Sequence, residues 1–530
     1  MQIADSLKEK HQTTISISVR SFFLAALLYL ALPVIIFFIG YLKIWWAVLF
    51  SAGLILAIYL TMREMKKDQR SIDAAKRSIE IKPSYLILMC IVIPLLLYWA
   101  GIGEFGYCLP DHRVRYAILN DLVKYDWPVI FDFSTQQNPV VAASLGSGNA
   151  AFSYYFVFWM IPALFGKAFG LMTARIVLLI WASLGMILVS LGAALLYKRA
   201  SKIFFFCVIL FAGFDTIPYL INILTKTPTT WEGWNSHLFI HGNYYQLMNV
   251  FNQSIPGWII TILLLLSNDG RSVGFLGGLM FCYSPWATIG IFPMCICKII
   301  TTSKDKDGKS VSVSSIAKST FTIQNLIPPI ICLICFGALY TANPNATGDD
   351  GFIWNFYESP LWLLKDYVCY VIFEFGIWFV MVIRKHKKDP MLWTAFITLL
   401  ILPVYKISIA NDFIMRGSMA PALAIGLYAM MFVTDNVELC RDNTQKLKTA
   451  IAGRAVIVIF LFAAYFPINY IFYQGLITFQ MHHTDAVFDD ETKIIGSFGN
   501  INSEEELDMV KNQFYVYDYE NSVFFKYLAK

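Results

Sequence analysis

Charge is scarce in this chain of 530 residues. Asp, Glu, Lys and Arg together make up 15% of it, where a soluble domain carries about a quarter. That shortage excludes a disordered or coiled-coil protein, and no collagen-type repeat is present. No low-complexity tract and no internal repeat is visible. The missing repeat weakens a transporter reading, because many secondary transporters are built from matching halves. Residues 1–20 are polar and charged, and the first apolar run is long and lacks a small-residue cleavage site. No cleavable signal peptide is therefore expected, and no disulfide framework either. Most of the ten Cys, such as Cys90, Cys207, Cys332 and Cys335, lie inside apolar runs, where Cys behaves as a small hydrophobe. Cys108 alone is expected in an outer loop. Cys295-x-Cys297 and Cys332-x-x-Cys335 have metal or redox spacing, but both lie in lipid-length helices without His or carboxylate company, so they read as structural.

Apolar residues fill the space that charge leaves. Hydrophobic residues reach 57%, with 43 Phe, 28 Tyr and 14 Trp, and the mean hydropathy is +0.58. These values predict an all-α integral membrane protein. The net charge of +5 calls for no nucleic-acid partner, since membrane proteins collect Lys and Arg in cytoplasmic loops. A hydrocarbon core of about 30 Å needs about 20 apolar residues of helix. Residues 22–41, 44–62, 85–103, 176–197, 326–342, 361–383, 391–410, 418–433 and 454–474 meet or approach that length. Shorter runs at 203–214, 256–268, 273–283 and 287–300, broken near Asn268-Asp269-Gly270 and at Ser284-Pro285, bring the expected count to about thirteen crossings.

Basic residues orient the bundle. Residues 63–82, 198–202, 304–318, 384–388 and 441–454 are rich in Lys and Arg and belong inside, with the N-terminus. A membrane domain then occupies 1–474. Its extracytoplasmic loops are 104–175 and 215–255, and a short tail, 475–530, lies outside. Residues 152–170 are expected to stay on the outer side without crossing, since a full crossing would carry the 198–202 cluster outside.

Four polar clusters fall on the outer face under this topology. In the first, Ala117, Ile118, Leu119 and Leu122 form an apolar stripe, which predicts an amphipathic helix on the membrane surface with Asp111 at its N-terminus, as a functional acid or only as an N-cap. The second is Asp215, an acid in an apolar stretch, a costly placement that by default marks a functional cavity. The third runs from Glu232 through His237 and His241 to Asn252, Gln253 and Trp258. His237 and His241 have the i,i+4 spacing that grips a metal on a helix, but no further ligand stands at a fixed spacing. The fourth holds Asp412 and Arg416. The planar fork of Arg416 suits a phosphate, or pairs simply with Asp412. Glu374 is a further buried acid without an evident partner.

Asp111 early in the first large outer loop, then the amphipathic helix, then Trp127-Pro128, resembles the GT-C superfamily of membrane glycosyltransferases. Tyr154-Tyr155, the Phe165-Gly166-Lys167-Ala168-Phe169-Gly170 turn and Ala174-Arg175 are similar to the same region of its aminoarabinose-transferase and protein-mannosyltransferase branches. Gly213-Phe214-Asp215, Asn252-Gln253-Ser254-Ile255-Pro256-Gly257-Trp258, Asn411-Asp412-Phe413-Ile414-Met415-Arg416 and the C-terminal Phe524 to Lys530 look more like uncharacterised bacterial members.

The resemblance implies an inverting hexosyl- or pentosyltransferase in a bacterial inner membrane. Its donor is a polyprenyl-phosphate sugar and its acceptor a cell-surface glycan or lipid. Asp111 becomes the general base, and Arg416, Arg175 and Lys167 the candidates for the donor phosphate. Asp215, Glu232, His237, Asn252, Gln253, Trp258 and Asp412 become candidates for acceptor or sugar binding. No cofactor is implied, though a divalent metal at Asp215 stays open. Two alternatives remain: a polysaccharide polymerase or ligase of the lipopolysaccharide pathway, and a lipid-linked sugar flippase or transporter.

Overall fold

The computed structural model describes residues 14–67, 69–136, 138–146, 148–303, 311–343, 350–408, 411–441, 447–484, 495–501 and 503–530. It is nearly all-α, about 74% helical. Among the described residues, eight helices are long and apolar enough to cross a membrane: Val19–Tyr41, Ile44–Glu64, Leu171–Tyr197, Asn243–Leu266, Pro285–Thr302, Ile323–Thr341, Pro360–His386 and Met419–Cys440. A pair bent by 50°, Ile451–Ala463 and Tyr465–His483, makes up to nine. The chain is a multi-pass membrane protein. Thirteen crossings would also require shorter apolar helices such as Pro83–Trp99, Val273–Tyr283 and Pro390–Val404. At 203–214 the expected span is the helix Lys202–Leu210, of nine residues; at 1.5 Å per residue it rises about 14 Å, less than half a hydrocarbon core.

Local chemistry sets several of the breaks. The run after Leu266 stops at Asn268-Asp269-Gly270. Ser284 caps the next helix by accepting from the Ala287 amide, with Pro285 in its first turn, where a missing N–H costs nothing. The segment expected as a short helix at 256–268 is instead the second part of Asn243–Leu266, a single helix kinked where Val250 leaves helical geometry (φ −140°, ψ 37°). Its polar first half carries too little hydropathy to be read as membrane-length helix.

Short sheets tie distant segments together. Ile15–Ser18 pairs antiparallel with Ser78–Ile81. No bilayer can separate hydrogen-bonded strands, so the N-terminal strand shares a side with the basic segment 63–82. At the other end, Tyr515–Val516 adds to Asn149–Phe152, which pairs with Ile130–Asp132. The C-terminus then reaches the first helix hairpin, where the Lys530 amide donates to the Tyr41 carbonyl and the Lys43 amide to that of Leu528. The described residues of the tail, 495–501 and 503–530, are therefore a folded cover on the first loop.

The helix Pro110–Lys124 lies beneath that cover. Its stripe corrects an expectation: Ala117, Ile118, Leu119 and Leu122 have no exposed surface and pack within the protein, with Val123 against Gly166 of the helix Met160–Phe169. The helix Met160–Phe169, and not lipid, is its partner. On the same helix Asp121 is buried and accepts from Ser497 Oγ (2.6 Å) and the Phe498 amide (2.7 Å). Burial outweighs those donors and pushes its carboxyl up to about 7.

Candidate functional site

Asp111 is the second residue of Pro110–Lys124; its side chain lies outside the described residues. Its neighbour His112 is buried. The His112 ring meets the Met248 carbonyl through Nε2 and stacks on Phe251 at 5.6 Å and 14°. Met248 and Phe251 flank the kink at Val250, so the helix bearing Asp111 begins against a break in a second helix. Just beyond the break, Asn252, Gln253 and Ser254 are at most 1% exposed. None of their five side-chain nitrogen and oxygen atoms has a hydrogen-bond partner. An orphaned buried polar group costs about 1–3 kcal/mol, so this run marks a candidate site. Trp258, one turn further, is packed in the core.

A second arrangement surrounds Asp215. The helix Lys202–Leu210 ends and Phe211 to Phe214 runs on without helix. Its backbone is satisfied from other helices: the Asn243 amide donates to Phe211, Trp378 Nε1 to Ala212, and Phe214 to the Phe373 carbonyl. Irregular backbone among membrane-length helices survives only where protein supplies such partners. Opposite, Pro360–His386 widens into a π-helix at Val371–Gly376, a feature frequent at functional sites. It projects Glu374, whose Oε1 accepts from Trp234 Nε1 at 2.9 Å. Gly213 admits this approach, because a Cβ there would stand 3.0 Å from both Glu374 Oε2 and the Phe373 carbonyl.

The partner of Glu374 is Asp215, which is 1% exposed and faces both Glu374 and Glu232. Glu232, fully buried, accepts from the Gly242 amide at 2.8 Å and lies 3.6 Å from His241 Nδ1. Beside this cluster is a cavity of about 20 Å³ lined by Gly213, Glu374, His241, Gly242, Gln246 and Trp378. No group of three or more His, Cys, Asp or Glu among the described residues is arranged to hold a metal ion, and the acids do not fit a divalent metal. The segment that holds His237 and His241 is irregular, so their spacing does not put the two rings on one helical face.

The expected phosphate ligands are met in three separate settings. Arg416, in the helix Asp412–Gly417, pairs with Asp412 at 2.5 Å, and Tyr155 faces both. Arg175 pairs with Glu104 at 2.5 Å. Burial raises the Glu104 carboxyl to about 8, against the pull of Arg175. Lys167 donates to the carbonyls of Tyr125 (2.6 Å) and Val123 (3.5 Å) and stands over the Trp127 ring. Each cation satisfies a local partner, as a partly buried charge must, and no described contact brings the three together.

Residues 231–254 join these pieces. They carry Glu232 and His241, border the cavity at Gln246 and receive His112 at Met248. They are also tied to the Arg416 segment, where Asn411 Nδ2 donates to the His237 carbonyl at 2.7 Å. Sequence reasoning did not find His112, Gln246 or the partner of Glu374. Adjacency to Asp111 was the one available signal for His112, and an acid in an apolar run the signal for Glu374. Comparison with protein-family models, curated proteins and solved structures finds no match for this chain.

Proposed function

We propose that the protein is an inverting glycosyltransferase. It moves a sugar from a polyprenyl-phosphate donor to a glycan or lipid acceptor on the extracytoplasmic face of a bacterial inner membrane. The observation that carries this reading is the docking of the Asp111 helix on the broken helix, beside the unpartnered amides of Asn252 and Gln253. An amide offers donors and acceptors together, which matches a polyhydroxylated ligand, and Asp111 supplies the base beside it. In the reaction Asp111 takes the proton of an acceptor hydroxyl. The hydroxyl oxygen bonds to the anomeric carbon as the bond to the lipid phosphate breaks, and the configuration inverts. Arg416 is the first candidate to meet the departing phosphate; Arg175 and Lys167 follow. The C-terminal cover and loop 104–175 together form the outer part of the enzyme.

A lipid-linked sugar flippase or transporter is the second reading. It is favoured by the acid cluster at a helix break beside a π-helix, since acids among membrane helices commonly mark ion paths. Incubating the purified chain in lipid nanodiscs with a synthetic polyprenyl-phosphate sugar and a panel of acceptors separates the two. The proposal expects a glycosidic product of inverted configuration; movement of the intact donor across a vesicle bilayer without any product would replace it with the second reading.

A further inference from the structure

The acid cluster has more acceptors than donors: Trp234 Nε1 and the Ile240 amide serve Glu374, the Gly242 amide serves Glu232, and Asp215 faces Glu374. Five of its oxygens are buried without a partner: both of Asp215, Oε2 of Glu374, Oε1 of Glu232 and Oε1 of Gln246. Gln246 is 4% exposed and lines the cavity, while its Nε2 is already spent on the His241 carbonyl. The amide therefore turns an unmet acceptor toward the same space as Glu374. Among the described residues the one basic side chain within 4 Å of any of the three acids is His241, 3.6 Å from Glu232. The other titratable groups facing the cluster are phenols: Tyr370 toward Glu374, and Tyr470, itself beside Tyr245 and Tyr219, toward Asp215 and Glu232. None of them brings positive charge.

Two facing carboxylates in a dry site cannot both stay ionised without compensation. A cavity of about 20 Å³ has room for about one water-sized species. The acids lack the arrangement that a metal ion requires. What is missing is small, positively charged and rich in donors.

We propose that the cluster takes up one small positive charge, either a proton shared by the facing carboxyls of Asp215 and Glu374 or an ammonium ion in the cavity, held by Glu374 and the Gln246 carbonyl. Both offset one negative charge and bring donors to the acceptors, the proton as the O–H of one carboxyl and ammonium as its own N–H groups. A proton leaves Asp215 and Glu374 as a carboxylic acid hydrogen-bonded to a carboxylate. Ammonium leaves both ionised. The inference does not depend on glycosyl transfer, and its test needs no turnover.

The test is infrared spectroscopy of the full chain in nanodiscs at pH 7, comparing wild type with Glu374→Gln and Asp215→Asn. Each sample is measured in sodium, magnesium and ammonium chloride at matched ionic strength. In sodium chloride the wild type should show the intensity of one carboxylic-acid C=O stretch that is missing in both variants. If the band persists in ammonium chloride the occupant is the proton; if ammonium alone removes it, the occupant is ammonium. Equal carboxylic-acid intensity in wild type and both variants would overturn the proposal. So would removal of the band by sodium or magnesium, which would make the occupant a metal ion. Should both variants fail to fold, the wild-type comparison decides, since a carboxylic-acid band absent in all three salts between pH 6 and 8 would equally overturn it.

Discussion

Raising the pH through neutrality should loosen the C-terminal cover from the helix beneath it. Asp121 is buried under the cover, and its carboxyl is pushed up to about 7 from an ordinary 3.8, burial outweighing the donors of Ser497 and Phe498. Once the cover lifts, water restores the ordinary value. Below about pH 4 the group is protonated whether the cover is closed or open, and closure has its full stability. Between about 4 and 7 only the open form ionises, so closure weakens steadily as pH rises, and above about 7 the loss is complete. A difference of about three pH units corresponds to about 4 kcal/mol at 1.4 kcal/mol per unit, or up to about a thousandfold in local opening. Amide hydrogen exchange at 495–501, corrected for intrinsic rates, reads this directly, with the Phe498 amide as reporter. Wild type should lose protection between about pH 4 and 7, while Asp121→Asn, which cannot ionise, should hold a flat profile. Identical profiles in the two proteins would refute the reasoning, as would protection that rises with pH in wild type alone, because the hydrogen bonds to the carboxylate would then outweigh its burial.

Other consequences are as direct. Arg175→Met should destabilise the protein by about 1–3 kcal/mol, the cost of leaving the buried Glu104 carboxyl, which burial raises to about 8 and so keeps mostly protonated at neutral pH, without its hydrogen-bond partner. Adding Glu104→Leu removes the unpartnered group and should restore most of that loss in thermal unfolding; transfer activity in the double variant would show that Arg175 is a structural partner and not a phosphate ligand, whereas failure of the rescue would show that the Glu104 pair is not the source of the loss. Gly213→Ala forces a methyl to 3.0 Å from Glu374 Oε2 and the Phe373 carbonyl, and should cost about 1–3 kcal/mol in unfolding; an unchanged melting temperature would contradict the close packing of the break on the π-helix. An introduced Cys at Ser201 should be labelled from the inside and one at Ser503 from the outside, and outside labelling at 201 would overturn the orientation.

Local rules made much of the helical skeleton legible. The stop after Leu266 and the restart at Pro285 follow from Asn268-Asp269-Gly270 and from Ser284 ahead of a proline, signals that act within a few residues. Asp215 and Glu374 were legible one at a time, since an acid among apolar residues is costly. Their pairing was not, because the two are brought together by a helix break and a π-helix, neither of which leaves a mark in composition. The kink at Val250 was hidden for a different reason. The polar residues 243–254 read as loop, whereas tertiary packing and the His112 contact sustain a helix there. The tail 495–530 likewise lacks a long apolar run, and its order comes from pairing with strands more than 350 residues earlier in the chain. The i,i+4 spacing of His237 and His241 carried no information without a helix to display it.

The central claim is that Asp111, at the start of the helix docked on the break, acts as the base of sugar transfer. The most direct measurement is the transfer rate from a polyprenyl-phosphate sugar by purified wild type and Asp111→Asn, both shown by thermal unfolding to be folded. The account predicts that the variant keeps its melting temperature and loses about 10²–10⁴-fold in rate. Wild-type rates in a folded Asp111→Asn protein would contradict it.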